Sequence, residues 1–166
     1  MRIYAPIITA GFGGHTHVDD FRILQDEKAP EDSLGFFRIG PSVSPIFKNN
    51  PAYQLMDYDR KSFSLKNYDV FYLNLASPGT VATGWKKEYN FSEAYGQQSI
   101  TAASLHDVFK GFKRPGSMQN EYMLYYNTSY TLQPVVTKAN LQTYLCTIAF
   151  WMPTEFDNCL ATLRPF

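Results

Sequence analysis

The chain has 166 residues, a formal net charge of zero, 45% hydrophobic residues and 16% aromatic residues. That length suits one domain with a substantial core, and the aromatic share is that of a packed chain rather than a disordered one. Zero net charge leaves no basic field to steer nucleic acid or an anionic membrane, which argues against binding of nucleic-acid duplexes. No apolar run approaches the length of a transmembrane segment.

Met1-Arg2 and the apolar residues from Ile3 faintly imitate a signal peptide, but Pro6 interrupts the run and no small-x-small cleavage site follows. Residues 7–12 are a short apolar run ending in glycines, which predicts a buried strand feeding a tight loop. The loop is Gly13-Gly14-His15-Thr16-His17. Two imidazoles two positions apart can face one side of an extended backbone, and the glycines let the chain turn or let another group come close. Histidine is the commonest metal ligand near neutral pH. A strand delivering His-x-His therefore reads as half of a metal site, because zinc and similar ions need further ligands. The alternative reading is an exposed loop or a solvated strand face.

Residues 21–24 alternate and predict a strand; residues 25–33, charged and containing Pro30, predict a loop; residues 36–39 predict a short strand closed by Gly40-Pro41. Residues 52–58 and 64–75 are rich in aromatic and β-compatible side chains on either side of Asp59-Arg60-Lys61-Ser62, the pattern of a hairpin or of two long neighbouring strands. Ser77-Pro78-Gly79-Thr80 is a turn-rich joint after which composition changes. Residues 88–95 predict a short helix stopped by Gly96. From Ser99, the spacing of Leu105, Val108, Phe109 and Phe112 predicts a second helix. A third carries Met118, Tyr122, Tyr125 and Tyr126. Thr137 is a candidate cap for a fourth, with Leu141, Leu145, Ile148 and Met152, and Thr154 is a candidate cap for a last one. These aromatic stripes read as core. Cys146 and Cys159 read either as two buried free thiols or as a disulfide tying adjacent helices.

Gly14-His15-Thr16-His17-Val18-Asp19-Asp20-Phe21 resembles the last conserved block of the calcineurin-like metallophosphoesterases, in the form carried by acid sphingomyelinase-like phosphodiesterases. Residues 41–45, 49–55 and 68–75 resemble segments that follow this block, and Tyr95-Gly96 with the helical stretch 99–112 resembles the family's helical C-terminal region. The likeness covers most of this chain but only the back part of a family member. It implies an α+β fold: residues 1–78 as the last strands of a metallophosphoesterase β-sandwich, and residues 79–166 as a helical region packed on them. It also places residues 7–12 inside the fold, with Met1 a gene-fragment start.

The resemblance implies two divalent metal ions, zinc in many members, with His15 and His17 each binding one. It gives Gly14 the role of keeping the loop tight and leaves Thr16 structural. Asp19 and Asp20 become candidates to orient the imidazoles from behind, the alternative being solvated loop carboxylates. The family's Asp-x-His, Gly-Asp and Gly-Asn-His-Glu blocks and a further histidine are not in this sequence, so no catalytic residue is assigned here. His106 reads as an exposed or core-edge helix residue.

The implied partners are an N-terminal metallophosphoesterase segment and a phosphodiester substrate, either a phospholipid head group or a nucleotide. An exposed apolar sheet face would serve docking of that segment or self-association. The chain alone is expected to bind metal weakly and to turn over phosphodiesters poorly. The family is secreted, periplasmic or lysosomal and carries cystines in this region, which favours a Cys146–Cys159 disulfide. The alternative function is a non-catalytic binding or oligomerisation module with relic histidines. Asn90-Phe91-Ser92 and Asn127-Thr128-Ser129 match the glycosylation sequon.

Overall fold

Along Ser33–Ile39 (β3), Phe36 and Arg38 alternate into the interior, as a half-buried strand requires. In the computed structural model, which describes residues 2–26, 28–29, 31–75 and 84–162, β3 is the middle of a three-stranded sheet. Asp20–Gln25 (β2) pairs with it antiparallel, Phe21 opposite Arg38 and Ile23 opposite Phe36. On its other side lies Gly11–Gly13 (β1), in parallel. Gly11 and Gly13 are required there: a Cβ at either would come within 2.4 or 2.6 Å of the Phe37 ring that lies across β1.

The expected buried strand over residues 7–12 is corrected. Arg2–Ile7 is a 3₁₀ helix containing Pro6, and only Gly11–Gly13 is extended. Ile7 is 80% exposed and Phe12 54%. β1 pairs with β3 over three residues, and among the described residues no strand pairs along its outer edge.

A second sheet is formed by Ala52–Tyr58 (β4), Leu65–Tyr72 (β5) and Lys86–Asn90 (β6), in that order and antiparallel throughout. The β4–β5 turn is built as the sequence proposes: the Asp59 carboxylate accepts the N–H groups of Lys61 and Ser62 at 2.9 and 2.8 Å. The helix expected over residues 88–95 is half wrong. β6 occupies residues 86–90, because the open edge of β5 takes a partner and Tyr89 turns into the core. The helix is Phe91–Tyr95 (α1), capped by the Asn90 side chain and ended by Gly96 at φ 65°. The joint at residues 77–80 lies outside the described residues.

Thr101 and Ser104 form a capping box for Ala102–Phe112 (α2), whose Leu105, Val108, Phe109 and Phe112 are buried as their spacing predicts. Ser117–Tyr125 (α3), Leu141–Ala149 (α4) and Pro153–Thr162 (α5) follow. Neither proposed threonine cap holds. Asn140 takes the N-cap position of α4, its carboxamide closing the preceding turn on Thr137 at 2.7 Å. Thr154 lies inside α5, which opens on Pro153. Met152 lies between these helices and is 59% exposed. α2 lies against β3 and α4 against β2, so the helices cover the first sheet. Tyr68, Tyr89, Phe91, Tyr95, Phe112 and Tyr122 join both sheets and the helices in one core, with Tyr89 stacked on Tyr125 at 4.2 Å and Phe112 on Tyr122 at 4.4 Å. Among the described residues no helix is long and apolar enough to cross a membrane.

Cys146 of α4 and Cys159 of α5 form a disulfide with a Cα–Cα distance of 5.9 Å. Cys159 is the buried residue of α5, so the cystine is the main anchor of that helix. Replacing both cysteines by serine is expected to cost about 3 kcal/mol, measured by denaturant unfolding. Amide exchange should accelerate first in α5.

Candidate functional site

The His-x-His loop joins β1 to β2 and is tied at both ends. The Gly13 carbonyl accepts the N–H of Gly40 at 2.8 Å, and the Asp19 N–H donates to the Tyr126 carbonyl at 2.9 Å. Between these ties Gly14 has open space around it, and His15 and Thr16 are exposed. His17 is half-buried, with its ring 4.9 Å from that of Phe47. Its φ of 59° is left-handed, a conformation that costs a non-glycine residue on the order of 1 kcal/mol and is kept only where the surroundings enforce it. Its Nδ1 is buried and has no hydrogen-bond partner in the protein. A buried ring nitrogen left unmatched costs about 1–3 kcal/mol, and an arriving ligand would remove that cost.

The two aspartates after the loop are not solvated. Asp19 is 5% exposed and Asp20 1%. Asp19 pairs with Arg38, itself 1% exposed, and also accepts the Tyr89 hydroxyl at 2.8 Å and the Gln54 amide at 3.4 Å. Arg38 further donates to the carbonyls of Asp20 and, at 3.0 Å, Ile39, and its guanidinium lies 4.7 Å from the Tyr68 ring centre. Burial disfavours the Arg38 charge, but the Asp19 carboxylate together with Tyr68 and Tyr89 outweighs it and holds the pKa above the ordinary arginine value. Asp20 pairs with Arg22 and accepts the Phe21 N–H at 2.8 Å. Its burial still leaves its carboxyl above the usual range. No hydrogen bond described for either aspartate reaches an imidazole.

His106 stands apart from this loop. It is 5% exposed rather than at the surface, its Nδ1 3.0 Å from the Ser33 hydroxyl, and burial lowers its pKa. Among the described residues no group of three or more histidines, cysteines or carboxylates is placed to hold a metal ion. Among the described residues His15 and His17 are therefore not brought together with a third such group.

Asn49 and Asn50 are buried ties: Asn50 donates to the Thr128 carbonyl at 2.8 Å and accepts the Leu75 N–H at 2.8 Å. It is Phe47, just before them, that reaches His17. The sequon asparagines are likewise engaged. Asn127, 2% exposed, donates to the carbonyls of Lys48, Tyr130 and Gln133 at 3.2–3.3 Å, and Asn90 caps α1 while donating to Asp69 at 2.7 Å.

Sequence reasoning missed Arg38, Tyr89, Gln54 and Phe47. Arg38 left a signal: an arginine two residues after Phe36 in an alternating strand shares its buried face, and a buried guanidinium demands an acid. The others come from distant segments and left none.

The profile of the acid sphingomyelin phosphodiesterase C-terminal region matches residues 39–164, and the chain belongs to that family. Among its relatives, acid sphingomyelinase-like phosphodiesterase 3b of Homo sapiens is 33% identical over 141 residues, which are 79% of this chain and 30% of that protein. Cyclic GMP-AMP phosphodiesterase SMPDL3A of Bos taurus is 35% identical over 139 residues, 78% of this chain and 30% of that protein. The Homo sapiens form of the latter is 29% identical over 169 residues, 96% of this chain and 37% of that protein, so that alignment takes in the histidine loop. The chain spans about a third of the length of these relatives.

Beside the Asp19 network, Glu88 accepts the Ser129 hydroxyl at 2.6 Å with Oε1, while its Oε2 is buried without a partner. Burial pushes its carboxyl up to about 9 from an ordinary 4.5. A raised folded-state pKa stabilises fully below the unfolded value, and the benefit is lost as pH rises toward the folded one. Stability is therefore expected to decline between pH 4.5 and about 9, and Glu88→Gln, which cannot ionise, should flatten that decline in a series of chemical-denaturation curves.

Proposed function

We propose that this chain is the C-terminal share of a metal-dependent phosphodiesterase. His15 and His17 give imidazole ligands to a centre of two divalent ions, zinc foremost, and a segment outside this chain supplies the carboxylate, asparagine and remaining histidine ligands. The carrying observation is the His17 ring, with a buried unpartnered nitrogen on a loop tied at both ends. Membership of the phosphodiesterase family supports the same reading.

When bound, such a pair of ions supplies a hydroxide nucleophile and neutralises charge on the phosphate oxygens. The chain's own residues do the rest of their share by position. His17 is held beside Phe47, whose ring lies tilted against it. His15, exposed, is free to meet a ligand from the completing segment. The open space at Gly14 leaves room for substrate to approach the loop. Asp19 and Asp20 orient the imidazoles through the backbone they pin rather than by direct hydrogen bonds. Protonation of the leaving group belongs to the completing segment.

Two relatives carry names that specify cyclic GMP-AMP and one carries a name of the sphingomyelinase-like kind. We assign this chain the shared chemistry, hydrolysis of a phosphodiester in a nucleotide or a phospholipid head group. The Cys146–Cys159 disulfide supports an oxidising compartment, so the protein works in a secreted, periplasmic or lysosomal setting. The completing segment docks around the histidine loop. Ile3, Ile7 and Phe12 before the loop and Val43, Ile46 and Phe47 beyond it are all more than half exposed, and among the described residues the outer edge of β1 has no strand on it.

Zinc titration of the chain, followed by the ring signals of its three histidines in NMR spectra, tests the assignment. Weak binding that shifts His15 and His17 but not His106 is expected, and His15→Ala with His17→Ala should abolish it. Zinc affinity unchanged in the double variant would refute the ligand assignment. The chain alone should show little hydrolysis of a chromogenic phosphodiester, and normal turnover by it would refute the need for a completing segment.

A further inference from the structure

The geometry points to a clamp in which the Tyr89 hydroxyl and the Arg38 guanidinium act through Asp19 as positioning residues for the histidine loop. The consequence for metal binding rests on the function proposed above; the clamp itself does not. Asp19 is where separate parts of the fold converge on one residue. Arg38 reaches its carboxylate from β3, Gln54 from β4 and Tyr89 from β6, and its N–H meets the Tyr126 carbonyl just beyond α3. Arg38 also grips the carbonyl of Asp20, so the guanidinium holds both the side chain and the backbone at this point. Two residues upstream sits His17 at φ 59°.

An L-residue does not stay in that conformation unless its neighbours enforce it. Upstream, the described tie is the backbone bond between Gly13 and Gly40, followed by Gly14, where an added Cβ would meet nothing within 4 Å. Phe47 rests against the His17 ring but lies in a surface loop and is 53% exposed. The rigid constraint is therefore downstream, at Asp19. Loss of one hydrogen bond there should let the segment 15–18 relax toward ordinary backbone geometry, with little change in the distant core. Groups that hold a metal-ligating histidine in place typically contribute 10–100-fold to metal affinity, and this clamp acts in that way through the chain rather than through a ring N–H.

Tyr89→Phe is the discriminating variant, since it keeps the buried ring and its stacking on Tyr125 while removing the hydroxyl that Asp19 accepts. Val108→Ala, a fully buried site on α2, serves as the comparison, because it lowers stability without touching Asp19. Backbone order parameters from ¹⁵N relaxation are read for residues 15–18. In the wild type and in Val108→Ala they should stay near the rigid value of about 0.85, and in Tyr89→Phe they should fall toward about 0.6. Zinc affinity in Tyr89→Phe should fall about tenfold or more. Equal order parameters in the two variants would overturn the clamp and leave Tyr89 a packing residue. If zinc moves neither ring signal in the wild type while the loop still loosens in Tyr89→Phe, the clamp stands and the metal assignment falls.

Discussion

The Asp19–Arg38 ion pair is the constraint on which the arrangement of this protein turns. Both partners are almost wholly buried, and each charge brought out of water costs several kcal/mol, which only its partner and good hydrogen bonds offset. The pair must therefore form in full or the fold loses stability at its centre. It is completed from four directions, so its formation registers the first sheet against the second and both against the turn after α3. The Tyr68 face over the guanidinium and the Tyr89 hydroxyl on the carboxylate bring the aromatic core into the same network.

Seen from this centre, the helical half is a brace for a short loop rather than a separate unit. The Tyr126 carbonyl, the ties between Asn50 and Thr128 and the Glu88–Ser129 contact all join the segment after α3 to strands or loops of the first half. The polarity of the molecule follows. Its interior is aromatic on the helical side, while Ile3, Ile7, Phe12, Val43, Ile46 and Phe47 remain in solvent on either side of the histidine loop.

Much of this was legible in residue order. The β4–β5 hairpin around Asp59, the strand at residues 21–24, α2 with its four buried apolar residues and the stop at Gly96 all follow from local periodicity and turn chemistry. Errors came where a neighbour decided the outcome. Residues 86–90 carry no strong preference, and the open edge of β5 made them a strand. Thr137 and Thr154 are good caps by type, yet Asn140 and Pro153 lay nearer the true helix starts. Residues 7–12 read as a buried strand by hydrophobicity, but hydrophobicity specifies burial only if a partner surface exists to cover it. Asp19 and Asp20 read as candidates to orient the imidazoles or else as solvated loop carboxylates, and the strand at residues 36–39 gave Arg38 no role.

The sequence by itself determined the class of fold, the family and the histidine pair, because each is carried by residue types at short spacing or by a motif that stands in one stretch, while the pairing of Cys146 with Cys159 was favoured by the resemblance and made definite by the structure. Only the tertiary structure decided that Asp19 is a buried anchor, that His17 is held in a left-handed conformation with an unmatched nitrogen, and that His106 belongs to the core. Those facts depend on contacts between residues far apart in the chain, as between Asp19 and Tyr89, Ser33 and His106, or Asp19 and Tyr126. Burial and charge pairing are properties of a three-dimensional neighbourhood, and no local pattern encodes which distant side chain will complete it.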